Sequence, residues 1–146
     1  MKKVLLFGVF DLFHFGHLRL IERAAKLGDF CIVAVQIDEF VIKFKPPGAV
    51  GTLYSTDERV EMIRALRCVD EVITYSVAAE DVKEIEFDVL ILGADQNHSG
   101  FQAAIKYCKE NGKEVITLPR TEGISSTYIR RLTVDLSESE AEKNID

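Results

Sequence analysis

Val4-Leu5-Leu6-Phe7-Gly8-Val9-Phe10-Asp11-Leu12-Phe13-His14-Phe15-Gly16-His17 is the stretch from which the rest of the chain is read. Its first four residues are a short apolar run stopped by glycine, the pattern of a strand buried on both faces. From His17 to Leu27 the apolar residues fall at Leu18, Leu20, Ile21, Ala24, Ala25 and Leu27, which is helical spacing. Gly28 stands where a left-handed residue would end that helix. Phe30-Cys31-Ile32-Val33-Ala34-Val35 is a second buried run. Strand, helix and strand within about 35 residues make a βαβ unit, nearly always right-handed with parallel strands.

The alternation continues outward from this unit. Asp38 to Tyr54 carries Lys43, Lys45, Pro46, Pro47, Gly48 and Gly51 with little periodicity, and reads as one long loop of the kind that serves as a lid. Ser55 and Glu58 have the spacing of a capping box, so a helix is expected from Ser55. Strands are expected at Glu71–Thr74, Val89–Leu92 and Val115–Leu118, the last two stopped by Gly93 and Pro119. Short and longer helices are expected at Val82–Ile85 and Phe101–Asn111, and a final one at Ser126–Leu132. The order predicts an α/β fold: an open, mostly parallel, doubly wound five-stranded sheet in a single domain over residues 1–132. The remainder, 133–146, is acidic and serine-rich, and reads as a flexible tail.

Composition bounds the function. Of 146 residues, 47% are hydrophobic and 29% charged, which is ordinary for a globular domain. The 18 basic and 24 acidic residues give a net charge of −6, which argues against a nucleic-acid surface. The apolar run from Val4 to Phe10 is too short for a signal peptide or a membrane span. Cys31, Cys68 and Cys108 form no CxxC pair and read as reduced thiols of a cytoplasmic protein.

In open α/β sheets, ligands bind beyond the carboxyl ends of the strands, where the strand order switches. Three polar or glycine-rich segments leave strand ends: Gly8–His17, Gly93–Asn97 and Arg120–Thr127. In the first, Gly8 permits a tight turn and Gly16 removes a side chain where phosphate approaches. His14 and His17 meet on one side of the turn into the helix. The helix N-terminus adds unpaired N–H groups and partial positive charge, an anion site. Val9, Phe10 and Asp11 complete this wall. Asp11 has three readings: a hold on Mg²⁺ through phosphate or water, a partner for a loop lysine, or a cap. No third ligand of suitable spacing accompanies the histidines, so no protein-held metal is expected. In the third segment, Arg120 can grip phosphate or a base carbonyl. Thr121, Gly123 and Ile124 lie beside it, and Ser125, Ser126 and Thr127 supply hydroxyls at a helix start. Lys43 and Lys45 can close over phosphates from the loop. Arg59 and Arg67, near helix ends, can enter the site, and Asp95 can bind a base amino group or a ribose hydroxyl.

Gly8-Val-Phe-Asp-Leu-Phe-His-Phe-Gly-His17 resembles the GxFDxxHxGH signature of the cytidylyltransferase family, and within it the small glycerol-3-phosphate cytidylyltransferases. Arg120-Thr-Glu-Gly-Ile-Ser-Ser-Thr127 is similar to that family's RTEGISTT segment, and Arg67-Cys-Val-Asp-Glu-Val-Ile73 to its RYVDEVI segment. The resemblance covers about Lys2 to Leu132. It implies a Rossmann-like nucleotidyltransferase fold, a reaction of CTP with a small phosphorylated acceptor, Mg²⁺ accompanying the triphosphate, and a homodimer. It assigns His14, His17, Lys45 and Arg120 to catalysis. Gly8, Val9, Phe10, Asp11, Gly16, Lys43, Arg59, Asp95, Thr121, Gly123, Ile124, Ser125, Ser126 and Thr127 fall to nucleotide binding. Two departures concern the acceptor. The family's Trp and Lys after the third strand have no counterpart in Thr74-Tyr-Ser-Val-Ala-Ala-Glu-Asp81, and its Gly-Asp-Asp-Trp is Gly93-Ala-Asp-Gln96 here. Glycerol 3-phosphate is the first expectation. Other phosphorylated polyols, sugars, amino alcohols or FMN, with ATP as a further donor, stay open beside it, as does a nucleotide-binding module without catalysis.

Overall fold

The computed structural model describes residues 1–120 and Leu132. Five strands, β1 (Lys3–Gly8), β2 (Phe30–Gln36), β3 (Glu71–Tyr75), β4 (Val89–Gly93) and β5 (Glu114–Leu118), form one sheet in the order β3-β2-β1-β4-β5. Every pairing is parallel. The helices are α1 (Phe15–Ala25), α2 (Asp38–Lys43), α3 (Thr56–Arg64), α4 (Ala78–Asp81), continued by a 3₁₀ turn over Val82–Glu84, and α5 (Ser99–Glu110). This is the doubly wound α/β sheet expected from the strand–helix alternation, parallel throughout.

The central strands β1, β2 and β4 are apolar along nearly their whole length because both faces are covered. Val4, Leu6, Cys31, Val33, Val35, Val89 and Ile91 pack with Ile21 and Ala24 of α1 and Ile63 of α3. The alternate residues Leu5, Phe7, Ile32, Ala34, Leu90 and Leu92 pack with Ala78, Val82, Phe101, Ala104 and Cys108 on the other face. The twofold period of the strands thus sorts one continuous apolar sequence into two cores. Each fully buried Leu or Ile contributes roughly 1.5–3 kcal/mol of transfer free energy.

Local chemistry sets the element ends. Ser55 caps α3 through the Glu58 N–H, and Glu58 Oε1 accepts from the Ser55 N–H, the reciprocal box expected from the spacing. Two expectations are corrected. Asp38 to Tyr54 is not all loop, since its first six residues form α2. Gly28 does not serve as a left-handed helix stop. A Cβ there would lie 2.7 Å from the Lys2 carbonyl oxygen and 2.7 Å from Val4 Cγ1, so glycine lets the helix exit pass close to β1. The acidic segment 133–146 and the final helix before Leu132 lie outside the described residues.

Candidate active site

β1 lies at the centre of the sheet, and the chain crosses from one side of it to the other between β3 and β4. The switch point is therefore the gap between β1 and β4, and a cleft of about 400 Å³ opens above their carboxyl ends. Ligand pockets commonly fall in the range of roughly 300–1,000 Å³.

The wall built by residues 8–17 is held in an unusual backbone form. Phe10 (φ 56°) and Leu12 (φ 49°) are left-handed without being glycine. Such residues cost about 1–3 kcal/mol each and persist only where their surroundings enforce them. Three contacts enforce them here. The Phe10 ring lies beneath Gly8, where a Cβ would sit 2.6 Å from two ring carbons. Glycine is thus needed at position 8 to make space for the ring. Arg59 Nη1 donates to the Val9 carbonyl at 2.8 Å. The Asp11 carboxylate accepts from the backbone N–H groups of Leu53 (2.8 Å) and Tyr54 (3.0 Å), which ties the loop to the chain leading into α3.

The two histidines are fixed through their Nδ1 atoms. His14 caps α1, its Nδ1 accepting from the Gly16 N–H at 3.0 Å. His17 Nδ1 accepts from the His14 N–H at 3.3 Å. The rings stack with centroids 3.8 Å apart, and Phe10 and Phe13 flank His17 at 5.5 and 5.6 Å. Burial, reinforced by the neighbouring His14 and partly opposed by Asp11, holds the His17 pKa down to about 4. Burial and then Arg120 lower that of His14. With Nδ1 accepting on a neutral ring, the proton resides on Nε2. Both imidazoles line the cleft as neutral donors, able to hydrogen-bond phosphate oxygens.

Across the cleft, Arg120 Nη1 pairs with Asp95 Oδ2 at 3.3 Å. Both line the cleft, as do Lys45, Gly8, Val9, Phe10, Asp11 and Gly16. Lys45 Nζ donates to the Val50 carbonyl at 2.9 Å. The expected lysine pair is split, because Lys43 ends α2 and lies over the rings of Phe40 and Phe44 at 5.0 and 5.9 Å. Arg67 is not among the described residues lining the cleft. Thr121, Gly123, Ile124, Ser125, Ser126 and Thr127 lie outside the described residues.

Arg59 requires the largest correction. Its side chain is fully buried, and its N–H groups go to the carbonyls of Tyr54, Val9 and Gln36, to Asp38 Oδ1 and to Thr56 Oγ1. A guanidinium has five N–H donors, so none remains for a nucleotide. Arg59 braces the loop from beneath. The sequence sets Arg59 near a helix end, from which it could enter the site or form a surface salt bridge. The countersignal was the ring of acceptors, which only the fold assembles. Asp11 likewise serves the backbone, its carboxylate accepting the N–H groups of Leu53 and Tyr54. Gln96 was overlooked. It lines the cleft, accepts from the Gly93 N–H (2.9 Å) and donates to the Phe7 carbonyl (2.6 Å).

Comparison with known proteins agrees with this fold. Residues 5–132 match the family described as "Cytidylyltransferase-like". The glycerol-3-phosphate cytidylyltransferase of Bacillus subtilis (strain 168) is 37% identical over 133 residues, covering 89% of this chain and 95% of that protein. The FAD synthase of Thermococcus sibiricus is 35% identical, covering 77% and 76%. Among solved structures, the lipopolysaccharide core biosynthesis protein from Thermoplasma volcanium GSS1 superposes with a TM-score of 0.70 at 25% identity, over 84% of this chain and 99% of that one. The parallel sheet with a histidine-lined cleft at its switch point, taken with these relatives, places the protein among the nucleotidyltransferases. The chain belongs to the cytidylyltransferase-like family.

Proposed function

We propose that this enzyme transfers CMP from CTP to a phosphorylated alcohol, with glycerol 3-phosphate as the leading acceptor. The observation that carries the reading is the pair of neutral, Nδ1-anchored histidines facing Lys45 and Arg120 across one cleft. The 37% identity to the Bacillus subtilis glycerol-3-phosphate enzyme supports the donor and the acceptor.

In this reading an acceptor phosphate oxygen attacks the α-phosphorus. One P–O bond forms, the bond to the α–β bridging oxygen breaks, and the electron pair leaves with pyrophosphate. No covalent enzyme intermediate is required. The His14 and His17 Nε2–H groups stabilise the charge that accumulates on the α-phosphoryl oxygens, and Lys45 and Arg120 hold the phosphates. Arg120 exchanges Asp95 for the ligand at small cost, since the pair is solvent-exposed. Among the described residues no three His, Cys, Asp or Glu side chains gather as a metal site, and the Asp11 oxygens already accept two backbone N–H groups. Mg²⁺ would accompany the triphosphate and would supply neutralisation of its phosphate charge. A cytoplasmic setting and a homodimer belong to the same proposal. Among the described residues no helix is long and apolar enough to cross a membrane.

Pyrophosphate release from each NTP against a panel of acceptors tests the reading. Turnover with CTP and glycerol 3-phosphate supports it. Turnover only with ATP and FMN would transfer the enzyme to the chemistry named for its FAD synthase relative. CTP binding without turnover on any acceptor would leave a nucleotide-binding module.

A further inference from the structure

The ladders of the sheet end at different heights above the switch point. β1 stays paired with β2 up to Gly8↔Val35, and β4 with β5 up to Gly93↔Leu118. Between β1 and β4 the register stops at Leu6↔Ile91. One rung further in a parallel ladder, Phe7 would face Leu92 and its carbonyl would accept the Gly93 N–H. The Gln96 carboxamide occupies that rung instead. Its Oε1 accepts from the Gly93 N–H at 2.9 Å, and its Nε2 donates to the Phe7 carbonyl at 2.6 Å. A carboxamide carries the same donor and acceptor as a peptide group, so it satisfies both strands while standing between them. The turn that delivers it is held by Gln96 N–H to the Gly93 carbonyl at 3.1 Å. The strands are parted by the width of an amide where a single hydrogen bond would have joined them. Phe7, Gly8, Gly93, Ala94 and Gln96 then line the cleft that opens there.

We propose that Gln96 is a positioning residue: a side-chain amide wedged into the β1–β4 ladder, which sets the width of the slot receiving the nucleoside part of the triphosphate. The occupant of the slot rests on the nucleotidyltransferase reading above; the wedge itself rests on the hydrogen bonds alone.

Two variants separate the possibilities. Gln96→Leu keeps a similar size but offers neither donor nor acceptor, so Phe7 and Gly93 can pair directly and narrow the slot. Gln96→Glu still accepts from Gly93 but sets a carboxylate oxygen against the Phe7 carbonyl. Kd for Mg–CTP by calorimetry and KM for each substrate by pyrophosphate release are measured on wild type and both variants. The coupling between the Gly93 nitrogen and the Phe7 carbonyl carbon across a hydrogen bond is measured by NMR. The expected result is a tenfold or larger rise in Kd and KM for CTP in both variants, with the acceptor KM within twofold of wild type. The Gly93–Phe7 coupling should be absent in wild type and present in Gln96→Leu. A lowered Tm with unchanged CTP affinity in the folded variants would reduce Gln96 to a structural tie and overturn the proposal. Absence of the coupling in folded Gln96→Leu would overturn the wedge. Should wild type itself fail to bind CTP, the slot's occupant falls with the nucleotide reading, and the coupling still decides the wedge.

Discussion

Replacing Arg59 by methionine is expected to cost the protein about 4 kcal/mol of stability, with no nucleotide present. The side chain is fully buried and donates to three backbone carbonyls, those of Tyr54, Val9 and Gln36, besides Asp38 and Thr56. Hydrogen bonds involving a charged group contribute roughly 1.5–3 kcal/mol each, so the three carbonyls alone would suggest about 4.5–9 kcal/mol. That range is discounted. The Asp38 side chain is 47% exposed and keeps Thr52 Oγ1 and the Thr56 N–H as donors, so water and these partners replace much of its loss. Methionine also preserves the packing of the aliphatic stem. What remains fits the roughly 3–5 kcal/mol typical of breaking a buried ion pair from one side.

Urea unfolding followed by circular dichroism checks this. A slope of about 2 kcal/mol per molar converts 4 kcal/mol into a midpoint lowered by about 2 M. Small domains have only about 5–15 kcal/mol in total, so the variant is expected to be folded but marginal in dilute buffer. Arg59→Lys should recover little, because three donors on one atom cannot reach carbonyls placed around a planar fork. A midpoint within about 0.5 M of wild type, roughly 1 kcal/mol on that slope, together with weakened CTP binding, would refute the bracing role and return Arg59 to the ligand.

The other expectations are simpler. His17→Ala should lower kcat by about 100-fold or more, the scale of one lost transition-state donor, and a loss of tenfold or less in steady-state assays would leave His17 only a loop anchor. The His17 proton is lost at about pH 4 in the folded chain against an ordinary value of 6.5, so the unfolded chain binds the extra proton between those values. Stability should therefore be fully present above pH 6.5 and decline as pH falls toward 4, by up to about 3 kcal/mol from this residue. Denaturation curves for His17→Asn should show a shallower decline across that window, and parallel curves would contradict the assignment. Gly8→Ala should destabilise by about 1–3 kcal/mol, because its methyl meets the Phe10 ring at 2.6 Å. Calorimetric melting would show it. Asp95→Ala should change stability by about 0.5 kcal/mol or less, since it removes an exposed pair, and a loss near 2 kcal/mol would mean that the pair braces the cleft.

The fold was legible because its signals are local and repeated. Continuous apolar runs such as Val4–Phe7 and Val89–Leu92 announce strands covered on both faces, and the Ser55–Glu58 box announces a helix start. α2 was missed because six residues give less than two turns of periodicity, and Pro46, Pro47 and Gly48 just beyond dominate the reading. The histidine wall was legible because adjacency in sequence, a glycine and a helix start place the groups together without long-range help. Arg59 and Gln96 were not, because each derives its role from backbone atoms far off in the chain. Arg59 meets Val9 across 50 positions, and Gln96 meets Phe7 across 89. A side chain that serves main-chain carbonyls leaves no partner residue type in the sequence to betray it.

The same reasoning bears on the acceptor. The stretch after β3, where the family resemblance places a Trp and a Lys, is committed to packing here. Tyr75 is buried with its ring 4.8 Å from Phe7, Ala78 and Val82 belong to the core beneath α5, and the Asp81 carboxylate accepts from the Ser76 N–H at 2.7 Å. Among the described residues lining the cleft, none comes from 74–81. On the reading proposed above, discrimination between acceptors is expected of described side chains that do reach the cleft. Val41, Lys45 and Thr52 qualify, and all three come from the Asp38–Tyr54 segment. That segment is tied to the histidine wall by the Asp11 carboxylate and braced by Arg59, so the segment proposed to choose the acceptor is mechanically joined to the wall proposed to hold the phosphates. Exchanging Thr52 for valine should accordingly alter KM for the acceptor more than KM for CTP in steady-state assays, and the reverse order would place acceptor choice elsewhere.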